Sequence, residues 1–246
     1  MSEFRLSFPA CIVAGKHRLA TDDLLMLRKF TFPDGIRTCD DVVTVLALQN
    51  SCPEKCSEWD AFFVEALTEF IVHYTYPQGS LDEVNAAWLI KTFATDGVVN
   101  SVVELELLLH VVEVSAHVPG DLSAFVLDQL RIAVTDEVGA YHLSRPIARK
   151  GITRHDVDYV HRVLRRSTNN GGIALSPPEI AVLERIDMEM TAASCHPRWS
   201  DLIDAVHIRD MDKEEPRRSR WLRVADNMLR PDTDESLPSS DRFAAA

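Results

Sequence analysis

The segment Thr95-Asp-Gly-Val-Val-Asn-Ser-Val-Val-Glu104 joins a glycine turn to the start of a helix. Gly97 lacks a Cβ, so it can adopt the left-handed conformation that a reversing chain needs. Ser101-Val-Val-Glu104 then matches a capping box, in which the serine oxygen and the glutamate side chain bond the first N–H groups of a helix. The mainly apolar residues that follow predict a buried helix. The segment therefore predicts two helices joined by a tight turn.

Similar helix starts recur along the chain. Ser80-Leu-Asp-Glu83 and Ser176-Pro-Pro-Glu179 also match the capping box. Thr38, Ser57 and Thr153 begin weaker variants that end in aspartate instead of glutamate, and aspartate favours the positive end of a helix. These starts indicate that helices follow one another with short connections.

The spacing of apolar residues predicts an all-α fold. Apolar side chains follow the helix starts at helical spacing, and no segment shows the strict alternation of a strand. Only residues 4–13 are interpreted as a possible extended segment. We expect about nine helices plus a C-terminal helix. The nine are predicted near residues 21–31, 39–50, 58–74, 81–94, 102–117, 121–138, 154–167, 177–193 and 198–210.

Three parts of the chain share one plan: a helix, a turn with glycine, a second helix, and a third helix with a bulky anchor. The glycine and anchor pairs are Gly35 with Trp59, Gly97 with Leu122, and Gly171 with Trp199. Their separations of 24, 25 and 28 residues are nearly constant, as a duplicated unit predicts. Independent helices with short connections can also produce such spacing. We favour three helical repeats.

The repeats suggest a domain organisation. Residues 1–138 are predicted to form the main body from repeats one and two. Residues 139–152 contain two glycines and a proline and are predicted to be a linker. The third repeat would occupy residues 153–212. Residues 213–246 are expected to form a tail with a short amphipathic helix followed by a disordered end.

The charge of the chain is unevenly distributed. The 246 residues include 26 Lys and Arg against 38 Asp and Glu, which gives a net charge of -12. Residues 1–144 carry 9 basic and 21 acidic residues, whereas residues 145–246 carry 17 of each. This acidity argues against nucleic-acid binding. It is typical either of a solvated acidic shell or of a surface that faces a basic partner.

Cysteine content and hydropathy indicate a compartment. The five cysteines are few and odd in number, which suits a reducing environment. The N-terminus lacks the long apolar core of a signal peptide, and no apolar stretch is long enough to span a bilayer. We therefore expect a cytoplasmic protein without a transmembrane segment.

The turn and helix over residues 95–109 resemble a known family. The pattern is similar to the Asp-Gly-x-Ile/Val…Glu…Leu-Leu turn of tellurite-resistance TerB-like helical domains, and distantly similar to EF-hand loops. Pro33-Asp-Gly-Ile36 and Gly171-Gly-Ile173 are less complete copies. With the tryptophan-anchored third helix, the chain resembles uncharacterised bacterial TerB-like proteins over most of residues 20–210. The resemblance implies an all-α fold and a stress, scaffold or metal-linked role, and no reaction.

The EF-hand likeness raises the question of calcium. With Gly97 at position 6 of such a loop, the expected oxygen-ligand positions retain one carboxylate, that of Asp96. Glu104 stands one place beyond the last ligand position. A turn without metal is therefore favoured. The alternative is a divalent-metal-responsive protein that uses residues 92–104, with Asp96 and Glu104 as candidate calcium ligands.

The chain contains none of the common catalytic motifs. We find no nucleophile elbow, phosphate loop, His-Glu-x-x-His or dinucleotide fingerprint. Cys52-Pro-Glu-Lys-Cys56 has no second cysteine pair with which to form a zinc site. His155 and His161 are interpreted as packing or solvent-facing residues. We expect no catalysis and no cofactor, with a small-molecule enzyme whose pocket lies between repeats as the alternative.

The segment from Arg217 to Leu229 combines basic residues with an apolar helical stripe. It is predicted either to fold back onto the acidic repeats or to bind a partner or an anionic surface. We therefore predict a non-catalytic, TerB-like helical-repeat module for protein interaction or regulation in the bacterial cytoplasm, with a protein partner. The candidate partner-binding residues are Arg217, Arg218, Arg220, Trp221, Val224 and Met228.

Overall fold

The computed structural model describes residues 6–146, 151–166, 168–169, 172–173, 175–191 and 194–214. Helices account for most of this part of the chain, so the predicted all-α fold is confirmed. The helices are α1 (Phe8–Ala14), α2 (Thr21–Phe30), α3 (Cys39–Ser51), α4 (Ser57–Glu69), α5 (Glu83–Phe93), α6 (Val102–Val114), α7 (Gly120–Thr135), α8 (Gly139–Ser144), α9 (Arg154–Val163), α10 (Pro177–Glu189) and α11 (Pro197–Glu214).

Short elements complete the fold. A π-helical turn, Phe70–Tyr74, continues α4, and a 3-10 turn, Leu164–Arg166, continues α9. Four two-residue strands form one parallel and one antiparallel pair. They are β1 (Arg18–Leu19) with β2 (Glu54–Lys55), and β3 (Thr168–Asn169) with β4 (Gly172–Ile173).

All nine predicted helices are present, but the N-terminal prediction is wrong. Residues predicted as extended include α1, whose N-cap Ser7 accepts the Ala10 N–H at 3.4 Å. Pro9 stands in the first turn of this helix, where its missing N–H costs nothing. Within the predicted linker, Gly139–Ser144 forms the helix α8. The helix predicted within 213–246 lies outside the described residues.

The predicted capping chemistry is correct at some helices and wrong at others. Ser80 does not cap α5; Asp82 does, by accepting the Asn85 N–H at 2.8 Å. Ser101 precedes α6 as predicted, but its side chain makes no capping hydrogen bond. An aspartate side chain placed nearer the helix replaces the predicted cap in the first case, because Asp is as good an N-cap as Ser.

Three other predicted helix starts show the reciprocal geometry. The Thr38 N–H donates to Asp41 at 2.9 Å, and the Thr153 N–H donates to Asp156 at 2.8 Å. At α10, Glu179 accepts the Ser176 N–H at 2.6 Å. Each acidic side chain thereby satisfies a backbone donor just outside its own helix.

The glycine turns have the predicted left-handed conformation where they are described. The φ angle is 80° at Gly35 and 81° at Gly97. The backbones of Thr95 and Val98 bond each other in both directions, at 2.9 and 3.0 Å. Gly171 lies outside the described residues, so the threefold repeat stays a prediction.

The three predicted anchors are all buried. Trp59 and Leu122 are fully enclosed, and Trp199 is 1% exposed. The Trp59 indole N–H donates to Gln49 of α3 at 2.8 Å. The Trp199 indole N–H donates to Asp187 of α10 at 2.9 Å. Each tryptophan therefore ties its helix to the preceding one as well as filling the core.

Helices α7 and α10 lie side by side with their N-termini together. A Cβ atom on Gly120 would lie only 2.4 Å from the Ser176 Oγ, so the backbones approach closely. One turn further, the buried Ser123 hydroxyl donates to Glu179 at 2.6 Å. Among the described residues, those up to His207 form one compact unit, and a second unit begins at Ile208. The division into body, linker and third repeat stays a prediction.

Candidate functional site: an acidic groove and a polar cleft

The residues proposed as metal ligands lie around the α6 turn. Asp96 is exposed at a φ of 52°, and Glu104 is half-buried in the first turn of α6. Burial raises the pKa of Glu104 above its ordinary value, and the nearby charge of Lys55 opposes this rise. Within the described residues, no group of three His, Cys, Asp or Glu side chains could hold a metal ion. The tail residues proposed to bind a partner lie outside the described part of the chain.

A groove of about 510 Å³ runs between α4 and the segment from α2 to the Gly35 turn. We call it the acidic groove. Its apolar lining combines buried side chains of the α2 segment with small and aromatic residues of α4, and three glutamates of α4 border it. It is defined by Leu24, Phe32 and Ile36 on one side and by Glu58, Ala61, Phe62, Glu65, Ala66 and Glu69 on the other.

The three glutamates share one face of α4. Glu58, Glu65 and Glu69 are all exposed and recur after seven and four residues, so they span ~16 Å along the helix. A hydrogen bond from its own backbone N–H lowers the pKa of Glu58. None of the three forms an ion pair with another described residue.

The floor of the groove is aromatic. The Phe62 ring lies 6.0 Å from that of Phe32 and 5.7 Å from that of Trp59, measured between centroids. The Arg28 guanidinium lies 5.9 Å from the Phe62 centroid. Arg28 is the only cation among the described lining residues, and its position over the ring uses it in a cation–π contact. The groove therefore presents carboxylates around an apolar floor.

A second depression, of about 300 Å³, lies between α6, α8 and α9. We call it the polar cleft. The aliphatic lining residues come from α6, which also contributes Glu106, whereas α8 and α9 contribute aromatic, imidazole and charged side chains. The cleft is lined by Val102, Leu105, Glu106, Leu109, Tyr141, Ser144, His155, Asp158, Tyr159 and Arg162.

A chain of hydrogen bonds connects this cleft to the interior. The fully buried Asp156 accepts the Tyr141 hydroxyl at 2.9 Å, and the Tyr141 oxygen lies 3.1 Å from the His155 Nδ1. The Tyr141 and His155 rings are stacked with centroids 6.0 Å apart. Burial and the Asp156 charge raise the pKa of Tyr141, so its hydroxyl stays protonated. His155, the last member of this series of hydrogen bonds, is exposed and lines the cleft.

Arg162 is held by two carboxylates. Its Nη1 and Nη2 donate to Glu106 at 2.9 and 2.6 Å. Its Nη2 also donates to Glu113 at 3.0 Å, and its Nε lies 2.9 Å from the same carboxylate. The hydrogen bond from Arg162 lowers the pKa of Glu113, although burial opposes it. The guanidinium is therefore already committed to the protein's own anions.

No family model matches the chain, and neither the curated proteins nor the solved structures include a significant match to it. The TerB-like resemblance thus rests on the residues quoted for it and stays a prediction.

Two features of these sites were not predicted from the sequence. Glutamates at 58, 65 and 69 share a helix face with Ala61 and Phe62, and helical spacing in the sequence could have predicted this shared face. His155 was interpreted as packing or solvent-facing; it is exposed, but it is bonded to Tyr141 of the predicted linker.

Proposed function

We propose that this chain is a non-catalytic module of the bacterial cytoplasm that binds a protein partner through the acidic groove. The observation that carries this proposal is a set of three glutamates beside an apolar floor, none of which forms an ion pair with a described residue. Apolar contact supplies affinity at interfaces, and charges at the rim select the partner and speed its approach. A scaffold or regulatory role of this kind is what the TerB-like resemblance implies.

The spacing of the glutamates supports a role in binding. Glu65 and Glu69 stand one turn apart on α4. Like charges at this spacing repel each other and destabilise a helix by about 0.2–0.5 kcal/mol. Basic groups on a partner would offset this repulsion.

The shape of the groove defines the partner more closely. The three glutamates span ~16 Å along α4, which corresponds to about three turns of a facing helix. A basic amphipathic helix would place its apolar face over Phe62 and its lysines or arginines beside the glutamates, which is the helix-in-groove mode of recognition. We therefore expect the partner segment to be a basic amphipathic helix.

The decisive experiment is affinity capture from the native host with three baits. They are the wild-type chain, the variant Glu65→Lys/Glu69→Lys and the control Asp201→Lys/Asp204→Lys, which makes the same charge change at exposed positions of α11. We expect a partner that is retained by the wild type and the control and lost from the groove variant. Identical sets of captured proteins for the three baits would contradict the proposal. Circular dichroism checks that all three are folded.

A further inference from the structure

We propose that the polar cleft binds a small organic cation, a primary amine or guanidinium carried on an apolar body. The cleft lies on α6, α8 and α9, whereas the acidic groove lies on α2 and α4. The inference therefore does not depend on the proposed function.

The hydrogen bonds of Tyr141 fix the tautomer of the neutral His155 ring. The Tyr141 hydroxyl has one hydrogen, which it donates to Asp156. The 3.1 Å contact to His155 therefore requires that Nδ1 of His155 be the donor. In the neutral ring, Nε2 then carries a lone pair. No described residue donates a hydrogen bond to Nε2, so His155 offers the cleft an acceptor.

The charges of the described lining residues favour a cationic ligand over an anionic one. Arg162 is the only cation among the described lining residues, and Glu106 and Glu113 occupy its donors. Asp158 also lines the cleft as an exposed carboxylate. Its one ion-pair partner among the described residues, Arg154, is 72% exposed and 3.9 Å away, a distance at which an exposed pair contributes little. The cleft thus offers hydrogen-bond acceptors and negative charge, which suit N–H donors on a cation.

Size and lining limit the ligand to a small molecule. A volume of about 300 Å³ lies at the lower end of the range for small-molecule sites. Val102, Leu105 and Leu109 form an aliphatic wall opposite the acceptors. This arrangement suits one ring or a short alkyl chain that ends in an amine.

The acceptor is held in place from the interior. Asp156 is anchored by Arg145, with side chains 0% and 4% exposed and a closest N–O distance of 2.6 Å. Asp156 fixes the Tyr141 hydroxyl, which in turn orients the His155 ring. Capping of α9 requires Asp156 and Thr153 but neither Tyr141 nor His155. A binding role accounts for this extension of the network, since oriented polar groups bind with less loss of conformational freedom.

The test is a calorimetric titration of the full chain with benzylamine and benzamidine. Benzyl alcohol and benzoate are the matched neutral and anionic probes. We expect saturable binding of at least one cation, with the other two probes weaker by about tenfold or more, because hydrogen bonds to charged groups are the stronger ones. Shifts of the His155 ring signals in NMR spectra should accompany binding.

Variants locate the site. We expect His155→Phe, which keeps a ring but removes the acceptor, and Asp158→Asn each to weaken cation binding by about tenfold. The control His161→Phe changes an exposed histidine on the same helix, outside the cleft, and should leave binding unchanged. All the positions changed are exposed, so folding should be retained. The proposal is overturned if neither cation binds, if benzoate binds as well, or if His155→Phe and Asp158→Asn leave the affinity unchanged.

Discussion

At the scale of single residues, the Asp156 carboxylate shows how a buried charge is maintained. Burial by itself raises its pKa, but hydrogen bonds from Arg145 and Thr153 outweigh burial and hold the pKa below its ordinary value. The Arg145 Nε and Nη2 donate to the two carboxylate oxygens at 2.9 and 2.6 Å. Arg145 Nη2 also donates to the Gly151 carbonyl at 3.0 Å, which ties the residue after α8 to a residue shortly before α9.

Replacement of Arg145 should be strongly destabilising. Arg145→Met leaves the Asp156 charge buried without its partner, and we expect the free energy of unfolding to fall by about 3–5 kcal/mol. Urea denaturation followed by circular dichroism measures this change. The control Arg154→Met removes an exposed arginine with one long ion pair and should change stability by less than about 1 kcal/mol. Equal losses for the two variants would contradict the assignment.

The same residue predicts a pH dependence. Because the folded-state pKa of Asp156 lies below that of the unfolded chain, its stabilisation is complete above the ordinary carboxyl pKa of about 4 and is lost as the pH falls through the folded-state value. In Arg145→Met the effect of burial on the Asp156 pKa is opposed only by the hydrogen bonds from Thr153, so this pKa should rise. We expect the stability difference between wild type and variant to narrow below about pH 4. Denaturation series at several pH values measure it, and parallel curves would refute the prediction.

The sequence predicted only part of this arrangement. Thr153 and Asp156 are three residues apart, so their capping pattern could be recognised from the local sequence alone. Tyr141 and Arg145 reach Asp156 across 15 and 11 residues, from a helix too short to show a helical period. No sequence spacing could indicate that these side chains meet at one carboxylate.

At the scale of helices, length decides what can be predicted. The nine helices found from apolar spacing have ten or more residues, whereas the missed helices α1 and α8 have seven and six. Two turns or fewer hold too few apolar positions to define a stripe. The acidic groove could be predicted only in part. Its glutamates follow helical spacing, but the facing wall comes from a separate helix and turn.

The contact between α7 and α10 gives a test at this scale. Gly120→Ala would place a Cβ 2.4 Å from the Ser176 Oγ and 2.7 Å from its Cβ. We expect a destabilisation of about 1–3 kcal/mol, because the two helix starts must separate. Thermal unfolding measures it.

Gly15→Ala is the matched control. Its added Cβ would meet no atom closer than 3.6 Å, and its φ of -78° suits any residue. This variant should be neutral or slightly stabilising, because alanine reduces the entropy of the unfolded chain. If both glycine variants unfold at the wild-type temperature, the close contact does not limit stability.

At the scale of the whole molecule, charge is the most informative property. The net charge of -12 resides in residues 1–144, which include every residue of the acidic groove. A field of one sign attracts a basic partner over distances longer than a contact. No helix of the described residues is long and apolar enough to cross a membrane. Composition predicted the sign of this field, but only the folded chain brings three glutamates to the edge of one groove.

Ionic strength should therefore control association at the groove. For a synthetic basic amphipathic helix, we expect the association rate to fall steeply as salt rises, because at 0.1 M salt charges more than about 10 Å apart are largely screened. Stopped-flow fluorescence measures this rate. The salt dependence should be weaker for Glu65→Lys/Glu69→Lys than for Asp201→Lys/Asp204→Lys. An equal dependence in both variants would assign the attraction to the general acidity of the chain.

The close approach of Gly120 and Ser176 also constrains how this sequence can diverge. A homologue with any side chain at position 120 must remove the one at position 176 or separate two helices that share a buried Ser–Glu hydrogen bond. The two positions are 56 residues apart in the sequence and should change together. Such paired variation would help to recognise distant relatives of this chain after other similarity has been lost.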